Sequence, residues 1–296
     1  MVKKNSPQTE VAEIGILGGT GLYEIKGIEE IKEINLNTPF GQPSGSYVIG
    51  KLEDKKVAFL ARHGKGHKLL PSEINYRANI YGFKMLGVER IISVSAVGSL
   101  KEEIKPQDIT FSDQFFDRTR RKNTFFGEGI AAHISFAKPV CPELSEILYQ
   151  AGEDLSLRVH KGGVYICIEG PAFSTKGESN IYRLWGGDVI GMTSATEAKL
   201  AREAEICYAT MNVVSDYDAW HISKEPVSVE MILGNLEKSI DKAKSIIKRS
   251  LSIIPSSRGD KCECHRAVEN IIVTDPQLIP SQTREKVKLI IEKYLK

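Results

Sequence analysis

The sequence lacks a long apolar run, an excess of charge of either sign, and an abundance of cysteine. No apolar run approaches the roughly 18 residues of a membrane span, and the first ten residues lack the apolar core of a signal peptide. We therefore expect a cytoplasmic protein. The 40 basic residues nearly balance the 38 acidic ones, so no nucleic-acid or membrane partner is expected.

The five cysteines are too few for a disulfide-rich scaffold and are expected as thiols in the cytoplasm. Three are most simply interpreted as small buried residues: Cys141, Cys167 and Cys207. Cys262 and Cys264 form a C-x-C pair beside His265, which suggests zinc. Because these adjacent residues lack the second ligand pair of a structural site, we predict no metal.

Apolar, β-branched segments alternate with segments of helical periodicity along most of the chain. The predicted strands do not alternate cleanly with polar residues, so we expect them to be buried on both faces. They comprise residues 14–17, 57–60, 90–97, 164–168 and 206–214. The predicted helices comprise residues 75–86, 143–155, 194–204 and 227 to about 251. This order predicts an α/β fold with a largely parallel or mixed sheet.

A turn-rich stretch at residues 255–260 is the only visible boundary in the chain. Beyond it, residues 283–296 are predicted to form an amphipathic helix. The last roughly 40 residues are too few to bury a core of their own. We therefore predict a polar tail at residues 1–12, one domain at residues 13–254, and a C-terminal helical appendage at residues 255–296.

The first predicted strand leads into the glycine-rich segment Gly15-Ile-Leu-Gly-Gly-Thr-Gly-Leu-Tyr-Glu24. Glycines allow a close backbone approach to a phosphate. A dinucleotide site would need a further small residue near the end of this segment, and Glu24 has the wrong charge beside a pyrophosphate. A plain structural strand and turn is a second alternative. We favour a small oxyanion, with the Thr20 hydroxyl as an added donor.

Two further predicted strands end in residues that can bind an anion. Arg62 and His63 follow the second strand directly, at the end where open α/β sheets bind ligands. Arginine offers a planar fork for phosphate, and histidine is a donor that can be charged near neutrality. Ser95 and the amides of residues 96–98 end the next strand and can form an anion nest. A solvated basic loop and simple packing of small residues are the alternatives.

Two aspartates end the last predicted strand, within Asn-Val-Val-Ser-Asp-Tyr-Asp-Ala-Trp. In an extended strand Asp216 and Asp218 point to the same side, about 6 to 7 Å apart. Like charges at this separation raise the pKa of one carboxyl group, which can then donate a proton to a leaving group. Solvated aspartates in a turn are the alternative. No histidine at ligand spacing supports a divalent metal here.

Two more segments supply candidates for contact with a substrate. Phe173 follows the fourth predicted strand and can cover the flat face of a base, although a core position is equally consistent. Met192 and Thr193 end a short apolar run. The next helix is expected to begin with Ser194 or Thr196 as its N-cap.

In their order and spacing, these segments resemble the trimeric purine nucleoside phosphorylase family. The resemblance covers about residues 13–250 and rests on GGTGLY, TPFGQPS, ARHGKGH, NYRANI, GSLKEEIKP, DQFFDRT, IEGPAFS, MTSATEAKLAREAEICYA and SDYDAW. It implies a single α/β domain whose central mixed sheet closes into a distorted barrel flanked by helices. It also implies transfer of the pentosyl group of methylthioadenosine to inorganic phosphate, without metal or organic cofactor.

The family pattern, matched position by position, implies a role for each candidate residue. Phosphate would be bound by Thr20, Arg62, His63, Ser95, the Ala96 amide and Thr193. Met192 would lie against the ribose and Phe173 beside the adenine. Asp216 would act as the acid at purine N7, and Asp218 would accept from the 6-amino group, which favours adenine over a 6-oxo base.

The resemblance extends to the 5' end of the substrate and to a second subunit. It implies an apolar pocket for the methylthio group, formed by Val229, Ile232 and Leu233, although ordinary core packing is the alternative. It implies that His133 reaches into a neighbouring subunit, in a homotrimer or a dimer of trimers. A broader phosphorylase that accepts adenosine or inosine and a hydrolytic nucleosidase are the alternative activities.

The C-terminal extension is similar to that of prokaryotic and archaeal thermophile members, some of which use disulfides. By this resemblance alone, Cys141 with Cys207 and Cys262 with Cys264 are candidate pairs. A reducing cytoplasm argues against them.

Overall fold

The structure, a computed structural model, describes residues 12–19, 22, 25, 27–221, 229–259 and 262–295, with the backbone alone at 229–233 and 235–238. The strands are β1 (Ile14–Gly18), β2 (Glu29–Ile34), β3 (Tyr47–Leu52), β4 (Lys55–Ala61), β5 (Arg90–Ser99), β6 (Ile109–Phe111), β7 (Gln114–Asp117), β8 (Val159–Lys161), β9 (Val164–Cys167), β10 (Val189–Gly191) and β11 (Cys207–Tyr217). The helices are α1 (Tyr76–Met85), α2 (Pro142–Asp154), α3 (Lys176–Leu184), α4 (Ser194–Glu203), α5 (Val229–Ile253), α6 (Ser281–Lys286) and α7 (Lys288–Ile291). Among these helices none is long and apolar enough to cross a membrane.

Strand β5 is the branch point of a single mixed sheet. One path runs β2-β3-β4-β1-β5-β10-β9-β7, and a second leaves β5 through β11 and β6 to β8. Strand β1 is parallel to both β4 and β5, and β11 is also parallel to β5. The carboxyl ends of these four strands therefore lie at the same edge of the sheet. This is the edge where the sequence places most of its candidate residues.

The sheet is open on one side of β5, near the middle of the strand. Strand β1 pairs with β5 as far as Ser93, and β10 pairs only with Gly98 and Ser99. Between these ladders, at residues 94–97, one edge of β5 has no strand partner in the described part of the chain, while the other edge stays paired with β11. Ala96 is exposed there although β5 is a central strand.

Apolar side chains cover both faces of the sheet. Along β1, Ile14 and Ile16 pack with α2 and α5 on one face, whereas Leu17 packs with α1 and α4 on the other. Burial on both faces explains why the strands read as continuous apolar runs. Val287 and Ile290 of the C-terminal segment join the face covered by α1 and α4. The C-terminal segment thus packs on the core that the strands form.

All five predicted strands and all four predicted helices are present, with ends that differ by a few residues. The predicted helix at 283–296 is wrong, because α6 and α7 are separate helices that meet at Val287. Val287 has φ −107° and ψ 14°, which are not helical, so the backbone interrupts the predicted helix although this side chain is buried as the periodicity predicts. The predicted N-cap of α4 is also wrong, because Thr193 occupies that position.

Helix α3 is absent from the elements that the sequence predicts. It begins with a capping box, in which the Glu178 amide donates to Thr175 Oγ1 and the Thr175 amide donates to Glu178 Oε2. This Thr-x-x-Glu signal is present in the sequence. Only Ser179 and Tyr182 of this helix are buried, which leaves no apolar stripe to predict it.

Candidate active site

Arg62 lies at the end of β4 and is held by a buried ion pair. It is 3% exposed, and its Nε and Nη2 donate to the two carboxylate oxygens of Glu197 in the first turn of α4. Nη1 donates to the Val94 carbonyl at 2.8 Å, and Nη2 also donates to the Ser93 hydroxyl at 2.7 Å. The fork that the sequence analysis assigned to phosphate therefore binds Glu197. One N–H of Nη1 is left for a ligand.

His63 follows Arg62 and is neutral at pH 7 in this form. Its Nδ1 lies 2.8 Å from the Leu69 carbonyl oxygen, so Nδ1 carries the hydrogen, and the ring stacks on His67. Burial, followed by the charge of Arg62, lowers the pKa of His63 to about 4. This differs from the charged donor expected from the sequence. A bound phosphate dianion would raise this pKa and favour a second N–H at Nε2.

Tyr165 in β9 joins two of the predicted phosphate residues. Its hydroxyl lies 3.1 Å from Ser95 Oγ and accepts a hydrogen bond from the Thr193 amide at 3.5 Å. Thr193 is the N-cap of α4, but its side chain makes no capping hydrogen bond. The positive end of α4 thus lies beside Ser95. The same end carries Glu197, which forms the ion pair with Arg62. Such a helix end favours an anion.

The open edge of β5 supplies a backbone donor. The Val94 carbonyl accepts from Arg62 at this edge, so the alternation of a strand directs the Ala96 amide to the same edge. Arg62, Ser95, Ala96 and Thr193 therefore surround one gap in the sheet. Donors of this kind, gathered at the carboxyl end of parallel strands, form a site for a small oxyanion.

The glycine segment reaches the same edge of the sheet. The Arg62 amide donates to the Gly18 carbonyl at 2.8 Å. A Cβ at Gly15 would lie 2.8 Å from an aromatic ring of α1, so packing requires glycine there. One at Gly18 would lie 2.1 Å from the end of a flexible leucine side chain, which would have to move. A Cβ at Gly19 would meet no described atom within 4 Å. Thr20 lies outside the described residues.

Both aspartates approach Gly98 near the end of β5. A Cβ at Gly98 would lie 3.5 Å from Asp216 Oδ2 and 3.4 Å from the Asp218 Cβ. The sequence predicts that strand alternation brings the two aspartates to the same side. The structure brings them together in a different way. A bulge precedes Asp216, β11 ends at Tyr217, and the Asp218 amide donates to the Ser99 carbonyl.

The two carboxyl groups have raised pKa values, mainly because they are buried. Burial raises the pKa of Asp216 to about 6; a hydrogen bond from the Ser215 hydroxyl opposes this, and the charge of Asp218 adds to it. Like-charge repulsion, which the sequence predicts as the cause, is therefore secondary. Burial also raises the pKa of Asp218, which is 7% exposed.

Asp218 Oδ2 is buried without a hydrogen-bond partner in the part of the chain that the structure describes. The Ser179 hydroxyl, the Ala219 amide and the Ser174 hydroxyl each lower the pKa of Asp218. Ser174 Oγ is likewise buried without a hydrogen bond of ordinary geometry among these residues. Buried polar atoms are nearly always hydrogen-bonded in proteins. An unpartnered acceptor beside Asp216 is therefore suited to a ligand that brings its own N–H group.

The loop after β9 and the end of β10 form the wall next to the aspartates. Arg121 Nη1 donates to the Met192 carbonyl, and Nη2 donates to the Glu169 carbonyl. Gly170 has φ 67°, and a Cβ there would lie 2.5 Å from Met192 Sδ. Glycine therefore lets the methionine side chain lie on this loop. Phe173 is 66% exposed, so its ring is available for stacking.

Comparison with known proteins shows the family to which the chain belongs. The phosphorylase superfamily matches residues 13–252. The S-methyl-5'-thioadenosine phosphorylases of Koribacter versatilis and Geobacter sulfurreducens are each 53% identical to the chain, covering 96% and 95% of it and 97% and 99% of their own lengths. The chain belongs to the S-methyl-5'-thioadenosine phosphorylase family.

Solved phosphorylase structures share the fold. A methylthioadenosine phosphorylase from an antarctic soil metagenomic library has a TM-score of 0.91 at 44% identity, covering 95% of this chain and 99% of that one. A substituted adenosine/methylthioadenosine phosphorylase from Schistosoma mansoni, in complex with methylthioadenosine, has a TM-score of 0.80 at 31% identity, covering 95% and 98%.

The remaining candidate residues of this phosphorylase lie on α5 and beside the C-terminal segment. Val229, Ile232 and Leu233 are in α5, where the structure describes the backbone alone. His133 is exposed, and its backbone amide donates to the Ile271 carbonyl at 3.1 Å.

Three residues that contact the candidate site residues were not predicted from the sequence: Glu197, Tyr165 and Arg121. In the sequence Glu197 is an acidic residue in the first turn of a predicted helix. The helix dipole by itself favours an acidic residue at that position, so nothing there indicates an ion pair. Tyr165 lies in an apolar run, and Arg121 lies in a loop with other basic residues. Their partners are far away in the chain, so no local pattern indicates them.

Proposed function

We propose that this protein catalyses the phosphorolysis of S-methyl-5'-thioadenosine to adenine and 5-methylthioribose 1-phosphate. One observation carries the proposal. The oxyanion donors gather around Ala96 of β5, and the Asp216 carboxyl group, whose pKa is raised, lies beside Gly98, two residues further along the same strand. Two strand residues span about 7 Å, which leaves room for a ribose between a phosphate and a purine. The names of the relatives support the same reaction.

Phosphate binds in the gap of β5. Its contacts are the candidate anion-binding residues: Thr20, Arg62, His63, Ser95, the Ala96 amide and Thr193. The dianion supplies the nucleophile that attacks the anomeric carbon, with inversion, and the counter-charge for the cationic sugar of the transition state. Fixing it beneath the sugar lowers the barrier by several kcal/mol through orientation. No metal or organic cofactor takes part in this chemistry.

The purine leaves with a proton from Asp216. Negative charge develops on the purine as the glycosidic bond breaks, and an acid at N7 neutralises it, which contributes roughly 10²- to 10⁴-fold. Asp218 Oδ2 accepts from the 6-amino group, whereas a 6-oxo group would offer it no hydrogen. Phe173 stacks beside the adenine and Met192 lies against the ribose. This donor pattern favours adenine nucleosides.

The methylthio group and the subunit assembly complete the proposed site. Val229, Ile232 and Leu233 form the apolar pocket for the methylthio group, and His133 reaches into the site of a neighbouring subunit. The protein is then a homotrimer or a dimer of trimers. An exposed apolar surface supports self-association: Leu184 is 81% exposed, and the exposed rings of Phe116 and Trp185 lie 4.9 Å apart.

Release of adenine tests the proposal directly. Protein freed of phosphate is mixed with methylthioadenosine, adenosine or inosine, with and without added phosphate, and the free base is quantified. We expect release only with phosphate, and the highest kcat/KM with methylthioadenosine. Release without phosphate would make the protein a nucleosidase, and inosine as the best substrate would contradict the roles of Asp216 and Asp218.

A further inference from the structure

Four of the five cysteines lie together, at the opposite end of β11 from the aspartates. Cys207 begins β11, Cys141 is the N-cap of α2, and Cys262 and Cys264 come from the C-terminal segment. All four Sγ atoms lie within 4.8 Å of one another. The Sγ atoms of Cys207 and Cys262 are 3.4 Å apart. Each side chain is buried in the same apolar cluster.

The four sulfurs lie close enough together to surround one metal ion. With Zn–S bonds of about 2.3 Å, the edges of a tetrahedron are about 3.8 Å long. The sulfurs here are at most 4.8 Å apart, and the Cys207 and Cys262 sulfurs are 3.4 Å apart, so small shifts of the side chains would bring all four to these edges. Two disulfides would require only two close pairs, each with sulfurs about 2.05 Å apart. All five cysteines of the chain are unpaired here.

We propose that Cys141, Cys207, Cys262 and Cys264 bind one Zn²⁺ ion as a structural tetrathiolate site. Four protein ligands close the coordination sphere and leave no position for a substrate, so this site serves stability and not catalysis. From the sequence alone no metal is predicted, because the C-x-C pair lacks a second ligand pair nearby. The fold supplies that pair in Cys141 and Cys207.

The surroundings of the cluster suit a thiolate site that joins separate segments. Cys141 lies at the N-terminus of α2, a helix of 13 residues whose positive end stabilises a thiolate. The four ligands connect the start of α2, the start of β11 and the C-terminal segment. That segment also bonds to the main domain through Glu205, which accepts from the Val268 amide and from the Tyr294 hydroxyl. A bound ion would add a cross-link between the same parts.

Metal content and thiol count together distinguish zinc from disulfides. The full-length protein is produced in a host cytosol, purified without chelator, and analysed for zinc by elemental mass spectrometry. In parallel the protein is unfolded without reductant in the presence of a chelator and an alkylating agent. The number of alkylated cysteines is then counted from its mass by mass spectrometry. We expect one zinc ion and five alkylated cysteines per chain. A single alkylated cysteine would indicate two disulfides, and five alkylated cysteines without bound zinc would indicate free thiols. Either result would overturn the proposal.

Cobalt provides a second readout that does not depend on how the protein was purified. Reduced, metal-free protein is titrated with Co²⁺ under anaerobic conditions. We expect the absorption bands of a tetrahedral cobalt thiolate to saturate at one ion per chain. Absence of these bands in a folded protein would contradict the site.

Two single substitutions form a matched pair. Cys262→Ser removes one ligand, and we expect its metal affinity to fall at least about tenfold. Cys167→Ser removes the cysteine outside the cluster, and we expect it to retain one zinc ion per chain. Equal loss of zinc from the two variants during titration with a competing chelator would show that the metal binds elsewhere. Should Cys262→Ser fail to fold, the cobalt titration of the unsubstituted protein still decides the proposal.

Discussion

Replacing Asp216 with asparagine separates proton transfer from hydrogen bonding at the candidate active site. Asparagine keeps the size of the side chain and an Oδ1 that can accept from the Ser215 hydroxyl, which lies 2.6 Å from Asp216 Oδ1. Its amide can donate a hydrogen bond to purine N7 but cannot transfer a proton. We therefore expect kcat for methylthioadenosine to fall by at least about tenfold.

The same substitution is expected to stabilise the protein. The pKa of Asp216 is raised from 3.8 to about 6, a difference of about 2 units, which corresponds to about 3 kcal/mol. Because the folded-state pKa exceeds the unfolded one, stability falls as the pH rises from 3.8 to about 6, and the full cost applies above that window. Asparagine carries no charge and removes this cost. At pH 7 the variant should gain up to about 3 kcal/mol in its free energy of unfolding.

Two assays test this reasoning. Urea unfolding at pH 5 and pH 7 measures stability, and adenine release at saturating phosphate measures kcat and kcat/KM from pH 5 to pH 8. The native enzyme should lose kcat/KM above about pH 6, by about tenfold per unit, as Asp216 loses its proton, and the variant should lack this decline. Turnover by the variant within about threefold of the native value would refute the acid role. An unchanged stability would refute the buried, raised-pKa carboxyl group.

Four further substitutions, one of them a matched control, test other parts of the structure. Glu197→Ala leaves the Arg62 guanidinium buried and unpaired, so we expect the free energy of unfolding, measured with urea, to fall by about 3 to 5 kcal/mol. We also expect a higher KM for phosphate, and an unchanged KM would show that the ion pair does not affect phosphate binding. Gly15→Ala should cost about 1 to 3 kcal/mol because its Cβ meets an aromatic ring, whereas Gly19→Ala should change stability by less than about 0.5 kcal/mol, and equal effects would contradict the packing role. His133→Ala should raise the KM for methylthioadenosine without changing the oligomeric state measured by light scattering; an unchanged KM would exclude its contribution to a neighbouring site.

The sequence by itself determined the class of fold and the edge of the sheet that carries most of the candidate site residues. Runs of apolar residues buried on both faces indicate the central strands, and helical periodicity indicates the helices that cover them. Arg62, Ser95 and Asp216 were predicted at or near strand ends because polar residues follow directly on apolar runs. These are local signals, and local patterns of burial suffice to read them.

Only the tertiary structure decided how these residues act together. Glu197 lies 135 positions from Arg62 and takes up its fork, and burial, more than the neighbouring aspartate, raises the pKa of Asp216. Cys207 and Cys262 lie 55 positions apart, yet their sulfurs touch. Distances and burial of this kind depend on which strands become neighbours. That is set by the packing of the whole chain, which no local pattern of residues contains.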